Sequence, residues 1–430
     1  MAKAPPNHHI PVDLDLSDET IVTAAESFGT PLYIYSRAKI TNDWMRLKSA
    51  LPSEATLYYS VKANPSVAIL QGLADIGASF EVASEGELRS AECAGIPASK
   101  IIFLGPGKRR AEIAYAVDQS LSMIVAESPA EVSIIREESR LRGARTTVAL
   151  RINPGAGRGK LVMGGMTQFG MSPTQASQTF RQYADDSHVE IVGVHGYLAA
   201  RVLAWEDIVE HSRVMLAAAA EIERNTPARV RFVDLGGGFG IPLHRGEDGL
   251  DLNAMSRGLS VAISEYRDTR SASLKIAFES GRYIVGPAGV FVARVVDVKS
   301  NGSSSFVLLD GGTNVFPSHM NYAGARLGPL RVLPERTTES QEAHVCGPLC
   351  TPTDRLARGV LLPMPQVGDL LAFYQAGAYG LTASPTMFLG HGAAAEVLYV
   401  DGRLVLVRDR QSIDHILALQ HKVRGRIPLA

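Results

Sequence analysis

At 430 residues the chain exceeds what one hydrophobic core usually supports, so two domains are expected. Hydrophobic residues make up 46% and charged residues 20% of it, the balance of a globular protein in water, and no apolar run reaches membrane-spanning length. A formal net charge of -1 gives no general pull toward nucleic acid or an anionic membrane surface.

The opening residues, MAKAPPNHHIPVDLDL, put prolines and acids where a secretory leader needs an apolar stretch, which points to the cytoplasm. SDETIVTAAESFG reads as a helix capped by Ser17, and PLYIYS as a strand. From residue 37 short apolar runs alternate with amphipathic helices: TLYYS, SFEVA, KIIFL, SMIVA, TVALR, EIVGVH, RFVDL and KIAFE, the last ending at Glu279. Eight strands separated by helices predict a TIM-type α/β barrel of parallel strands, with an open doubly wound sheet as the alternative. After residue 280 the pattern changes. GVFVARVVDVK, SSFVLLD, EAHVCG, DLLAFYQ, AEVLYV and RLVLVR are β-rich segments split by Gly, Pro and Asp turns, so a C-terminal β domain follows. The expected division is residues 37–279 for the barrel and 280–430 for the β domain, with the segment 1–36 joining the latter through PLYIYS. Residues 155–168, GAGRGKLVMGGMTQ, are glycine-rich without a period and read as a lid or a plain connector.

Three stretches carry chemistry. LYYSVKANPS, residues 57–66, sets Lys62 at the carboxyl end of an apolar strand, where a desolvated amine can condense with a carbonyl such as that of pyridoxal phosphate. DLGGGFGIP, residues 234–242, offers successive backbone amides, Gly237 and Gly238 among them, that can cradle a phosphate. It is no dinucleotide fingerprint, because Ile241 occupies the third glycine position. FESGRY ends the eighth barrel strand with Glu279, an acid suited to a pyridine nitrogen, and Arg282, a charge for a phosphate or carboxylate. Each has a plainer reading: a solvated lysine, a turn, and a local ion pair. The cysteines, Cys93, Cys346 and Cys350, are too few for a disulfide framework. CGPLC has no companion histidines, so no metal is expected.

Together these stretches resemble the group III pyridoxal-phosphate decarboxylases, the barrel-plus-β-domain family of the diaminopimelate and ornithine decarboxylases. The resemblance runs from about residue 30 to 400 through YYSVKANP, FEVASEGEL, IIFLGPGK, RINPG, QFGM, DLGGGFGIP, ESGRY, CGPLCTPTD and AGAYG, in that order. It implies pyridoxal 5'-phosphate held by Lys62, its phosphate by the glycine loop with Gly281 and Arg282, and its ring nitrogen by Glu279. By the same resemblance Tyr379 reaches phosphate or substrate, Asp310 and Asp354 lie near substrate, and Cys350 protonates the substrate carbon from the second subunit of a homodimer with shared active sites.

Two departures qualify the pattern. Where relatives have a histidine stacked on the ring and then a glycine and a phosphate-binding serine, this chain has GVHGYLAAR: Tyr197 takes the stacking position, or His195 leans in, and Ala200 cannot bond a phosphate. After Cys350 stands neutral Thr351 in place of the acid that holds a substrate's distal amine. CGPLCTPTD and GAYGLTASPTMFLGH look most like a subgroup that includes the glutamyl carrier-protein decarboxylase of butirosin biosynthesis. This implies antibiotic biosynthesis and a substrate tethered to an acyl carrier protein. Arg326, Arg331, Arg336, Arg355 and Arg358 are candidates for a basic docking surface, against the plainer reading of scattered solvated arginines. The alternatives are decarboxylation of free diaminopimelate, a barrel racemase, which Glu279 argues against, and a non-catalytic pyridoxal-phosphate carrier, which residues 280–430 argue against.

Overall fold

The computed structural model describes residues 13–153, 167–197, 199–227, 229–243, 246–268, 274–317, 329–337 and 339–421. Most of the expected lid and Arg326 lie outside these residues. Two compact units divide the chain, one being Arg37–Ala288 and the other the residues on either side of it. The second division falls after residue 288 and not 279, because the helical turn Arg282–Val285 stays with the barrel and packs on the helix Arg37–Ala50.

Strand β1 (Leu32–Ser36) precedes the barrel unit. Within that unit β2 (Thr56–Ser60), β3 (Ser79–Val82), β4 (Ile101–Phe103), β5 (Met123–Ala126), β6 (Thr146–Arg151), β7 (Val189–His195), β8 (Phe232–Asp234) and β9 (Lys275–Ser280) close in chain order into a parallel barrel. The ring answers the choice that periodicity left open, since an open sheet would leave β2 and β9 unpaired. The strands are apolar almost throughout because helices cover them outside and side chains fill them inside. Tyr58, Ile102, Met123, Val125, Ala149, Phe232 and Ala277, drawn from six of the strands, pack as one cluster. Helix starts are fixed by local chemistry: Ser84, Ser128 and Ser172 each accept the amide three residues on.

The other unit holds a nine-stranded mixed sheet. It comprises β1 with β10 (Gly289–Asn301), β11 (Ser304–Leu309), β12 (Leu330–Leu333), β13 (Ser340–Cys346), β14 (Arg355–Pro363), β15 (Leu370–Tyr374), β16 (Ala395–Val400) and β17 (Arg403–Arg408). β1 lies between β10, antiparallel to it, and β16, parallel to it. Its five residues are all buried, which explains the unbroken apolar reading of LYIYS. The helix Asp18–Phe28 supplies Ile21, Ala24 and Ala25 to the core beside Leu32, Ile34, Val290 and Val397. Among the described residues no helix is long and apolar enough to cross a membrane.

Candidate active site

Barrel register gathers charge at the carboxyl ends of the strands. Arg151 of β6 pairs with His195 of β7, and His195 with Asp234 of β8. Glu81 of β3 stands opposite Ser60 of β2, and Glu279 of β9 opposite Tyr58. Lys62 follows β2 directly, in the single turn Val61–Ala63. Its Nζ lies 2.6 Å from Oε1 of Glu81, whose other oxygen accepts the Ser60 hydroxyl. The lysine is not the desolvated amine expected: its side chain is 37% exposed, and its charge is met by a fully buried acid. Glu279 is buried, with Oε1 2.9 Å from Nε2 of His195.

These groups perturb one another. Burial lowers the His195 pKa to about 3, so the imidazole is neutral near pH 7 and meets Glu279 through a hydrogen bond without an ion pair. Burial raises the Glu279 carboxyl, with Lys62 and Arg151 pulling it back. Asp234 is pushed well above the usual range by burial and then by Glu279. Glu81 is raised by burial and Glu279, against Lys62. Burial moves Glu87, whose carboxylate accepts the Ala83 amide, up to about 7. Arg151 is already taken by Glu127 at 2.8 Å, so three buried carboxyls share one lysine. Nδ1 of His195, Oδ2 of Asp234 and Oγ of Ser280 are buried without a partner among the described residues. Orphan buried acceptors beside surplus carboxyls suit a ring that brings a cationic N–H.

The glycine loop following β8 is held by close backbone approach. A Cβ on Gly236 would stand 2.3 Å from the Gly196 carbonyl oxygen, on Gly237 2.3 Å from that of Glu279, and on Gly238 2.1 Å from that of Ala199. The Gly236 amide donates to Asp234 Oδ1 at 2.8 Å. The amides of Gly237 and Gly238 meet no acceptor among the described residues, as a phosphate cradle requires. Gly281 packs on Ala63, next to Lys62, and Arg282 behind it is buried. Tyr197 is half-buried, and Ala200 is exposed.

The remaining candidates belong to the sheet unit. Cys350 is an exposed free thiol in the turn after β13. Asp354 organises that turn: its carboxylate accepts the Thr313 amide at 2.7 Å, the Thr313 hydroxyl at 2.9 Å and the Leu349 amide at 2.8 Å. Asp354 is thus a buried anchor of that turn. Thr351 shares a 2.9 Å hydroxyl bond with Thr353. Asp310 likewise spends both oxygens locally, on the Thr30 hydroxyl at 2.5 Å and the Arg294 amide at 2.8 Å. Tyr379 has a φ of 54°, a left-handed backbone that side chains adopt at a cost. Of the arginines, Arg331 lies 3.6 Å from Asp18 and Arg336 2.5 Å from Asp369, so neither is a spare cation; Arg355 and Arg358 have no ion pair among the described residues.

Sequence reasoning missed Glu81, Arg151 and Asp234 as members of the site. All three lie inside the motif stretches FEVASEGEL, RINPG and DLGGGFGIP, and the available signal was a charge in an otherwise apolar barrel strand. His195, Asp234 and Glu279 also present ligand atoms within 4.8 Å of one another, a set that could bracket a metal ion. A metal site leaves the lysine and the glycine amides without a use, whereas an aldehyde-bearing, phosphorylated ring uses all of them.

A parallel barrel with a lysine, a buried acid and an amide-lined glycine loop on one rim has the parts of an enzyme built around such a cofactor. The pyridoxal-binding domain of the pyridoxal-dependent decarboxylases matches residues 37–286. The chain is 33% identical over 424 residues to the L-glutamyl-[BtrI acyl-carrier protein] decarboxylase of Niallia circulans, covering 96% of this chain and 99% of that protein. It is 30% identical to the diaminopimelate decarboxylase of Aquifex aeolicus, covering 94% and 95%. The crystal structure of diaminopimelate decarboxylase from M. jannaschii superposes with a TM-score of 0.88 at 26% identity, covering 94% of each chain. The chain therefore belongs to the pyridoxal-dependent decarboxylases: it is a carboxy-lyase whose cofactor is pyridoxal 5'-phosphate.

Proposed function

We propose that the enzyme decarboxylates an aminoacyl group tethered to an acyl carrier protein, in the cytoplasm, as a step of antibiotic biosynthesis. The observation that carries this reading is full-length similarity to a decarboxylase of a carrier-bound glutamyl group, combined with neutral Thr351 after Cys350. A free diamino acid needs an acid for its distal ammonium, and an uncompensated charge there is costly. Free diaminopimelate is the second reading, favoured by the similarity to its decarboxylases.

When bound, the cofactor supplies a carbonyl for the substrate amine and a protonated ring that takes up the electrons released with carbon dioxide. In this reading Lys62 would hold the aldehyde, and Glu81 would steer its amine. Glu279 keeps the ring nitrogen protonated, with neutral His195 fixing the carboxylate. Tyr197 covers the ring face, since His195 is committed to Glu279. Gly237, Gly238, Gly281 and Arg282 take the phosphate, and Tyr379 completes the phosphate or substrate contacts. Cys350 delivers the proton that replaces the carboxylate, a contribution of about 10² to 10⁴ in rate for a positioned donor. Asp354 holds the turn that presents Cys350. The active sites are shared in a homodimer, Cys350 serving the partner's lysine.

The test is carbon dioxide release from diaminopimelate, ornithine, lysine and glutamate, each free, and from the corresponding aminoacyl carrier proteins. Release from carrier-bound substrate alone is expected; rapid turnover of free diaminopimelate would overturn the tethered reading. Shared sites predict that Lys62→Ala and Cys350→Ala proteins, each inactive alone, regain up to about a quarter of activity when subunits exchange, as random pairing of two half-sites gives. Mixtures that stay inactive despite exchange would place the whole site in one chain.

A further inference from the structure

In the loop that follows β7, Ala200 offers no side-chain donor to an anion, and the next residue is built in an unusual way. Arg201 has a φ of 56°, a left-handed backbone at a residue with a long side chain. Its guanidinium makes a two-pronged pair with Glu247, both contacts at 2.8 Å, and both side chains are largely buried. Glu247 also accepts the Leu243 amide at 2.8 Å. The backbone beside Arg201 is laid on the glycine loop: the Val202 amide donates to the Gly238 carbonyl at 2.7 Å, and the Gly240 amide to the Val202 carbonyl at 2.9 Å. Residues 201–202, 238–243 and Glu247 thus form a closed ring, with one carboxylate joining its two ends.

We propose that Arg201 and Glu247 are a positioning pair for the cofactor's phosphate. The pair does not touch the anion, and its role rests on the functional reading above. It fixes residues 199–202 against the glycine loop, so that the Gly237 and Gly238 amides are held in place before the phosphate arrives. An internal clamp thereby replaces the anchoring that a hydroxyl at position 200 would give. Amides held in advance bind an anion more tightly, because less order must be imposed at the moment of binding.

The test uses two ligands and the full-length protein freed of cofactor: pyridoxal phosphate, and 5-deoxypyridoxal, which has the ring and aldehyde but no phosphate. Glu247→Gln and Arg201→Gln are each expected to weaken pyridoxal phosphate about tenfold, the scale of one well-formed charged fork, and to leave 5-deoxypyridoxal within about twofold. The reversed pair, Arg201→Glu with Glu247→Arg, is expected to recover part of the loss. Unchanged phosphate affinity in folded variants, or an equal loss for both ligands, would overturn the clamp while leaving the enzyme's class intact. Wild-type protein that takes up neither ligand would overturn the functional reading and the clamp with it.

Discussion

Lys62 and Glu81 illustrate how a reactive amine is placed without being buried. The lysine projects from a one-turn helix at the strand end, and what defines its position is the carboxylate 2.6 Å away, itself immobilised by Ser60 and wholly enclosed. A half-exposed amine can swing between cofactor and substrate, whereas a fully desolvated one pays an electrostatic cost each time it charges. Glu81 is then a positioning residue for Lys62. Changing Glu81→Gln keeps the shape and removes the charge, and kcat is expected to fall about 100-fold, the cost of roughly an ångström of misplacement, with KM changed far less. Steady-state kinetics with Glu81→Asp as the conservative comparison decide it: the shorter acid is expected to recover part of kcat. A loss confined to KM would instead assign Glu81 to substrate binding.

The barrel elements were legible because each is a short apolar run bounded by turn residues, and all eight strand segments match those read from the sequence to within a residue at each end. In the sheet unit β12 and β14 were missed. β14 breaks its own alternation at Gly359, which has a φ of 58°, and its pairing with β13 shifts register on either side of Val345, so the period-2 signal is lost. β12 is four residues long, LRVL following a proline, too short to stand out. Within the site, Lys62, Glu279 and the glycine loop were readable as motifs because each is local in sequence. The partnerships were not. That His195 is tied to Glu279 and Lys62 to Glu81 depends on strand register across the barrel, over 84 and 19 residues of chain, which no local pattern encodes. Asp354 shows the converse case, a motif acid whose bonds to Thr313 and Leu349 make it a turn anchor.

A cluster of buried titratable groups in the barrel unit makes the protein's stability a function of pH, with two opposed limbs. His195 and His211 are held neutral by burial, their pKa values lowered to about 3 and about 4. Below about pH 6.5 the unfolded chain takes up protons that these imidazoles refuse in the fold. Stability rises with pH wherever the unfolded state binds more protons, so the histidines' contribution is full above about pH 6.5 and drains away as pH falls toward 4. The buried carboxyls act in the other direction: Glu81, Asp234 and Glu279 have raised values, so their contribution is full below the ordinary carboxylate range and is lost as pH climbs above it. His211 isolates the first limb. It lies buried on the helix Trp205–Asn225, and no catalytic role is assigned to it. His211→Gln removes the titration while keeping a polar side chain of similar size. Between pH 6.5 and 4 the wild-type protein is expected to lose on the order of 3 kcal/mol more unfolding free energy than the variant, since each tenfold drop in proton affinity is worth about 1.4 kcal/mol. Urea unfolding of the two proteins across that range measures it. Parallel profiles would mean that His211 titrates in the fold as it does in water, and that its burial does not contribute to the acid limb.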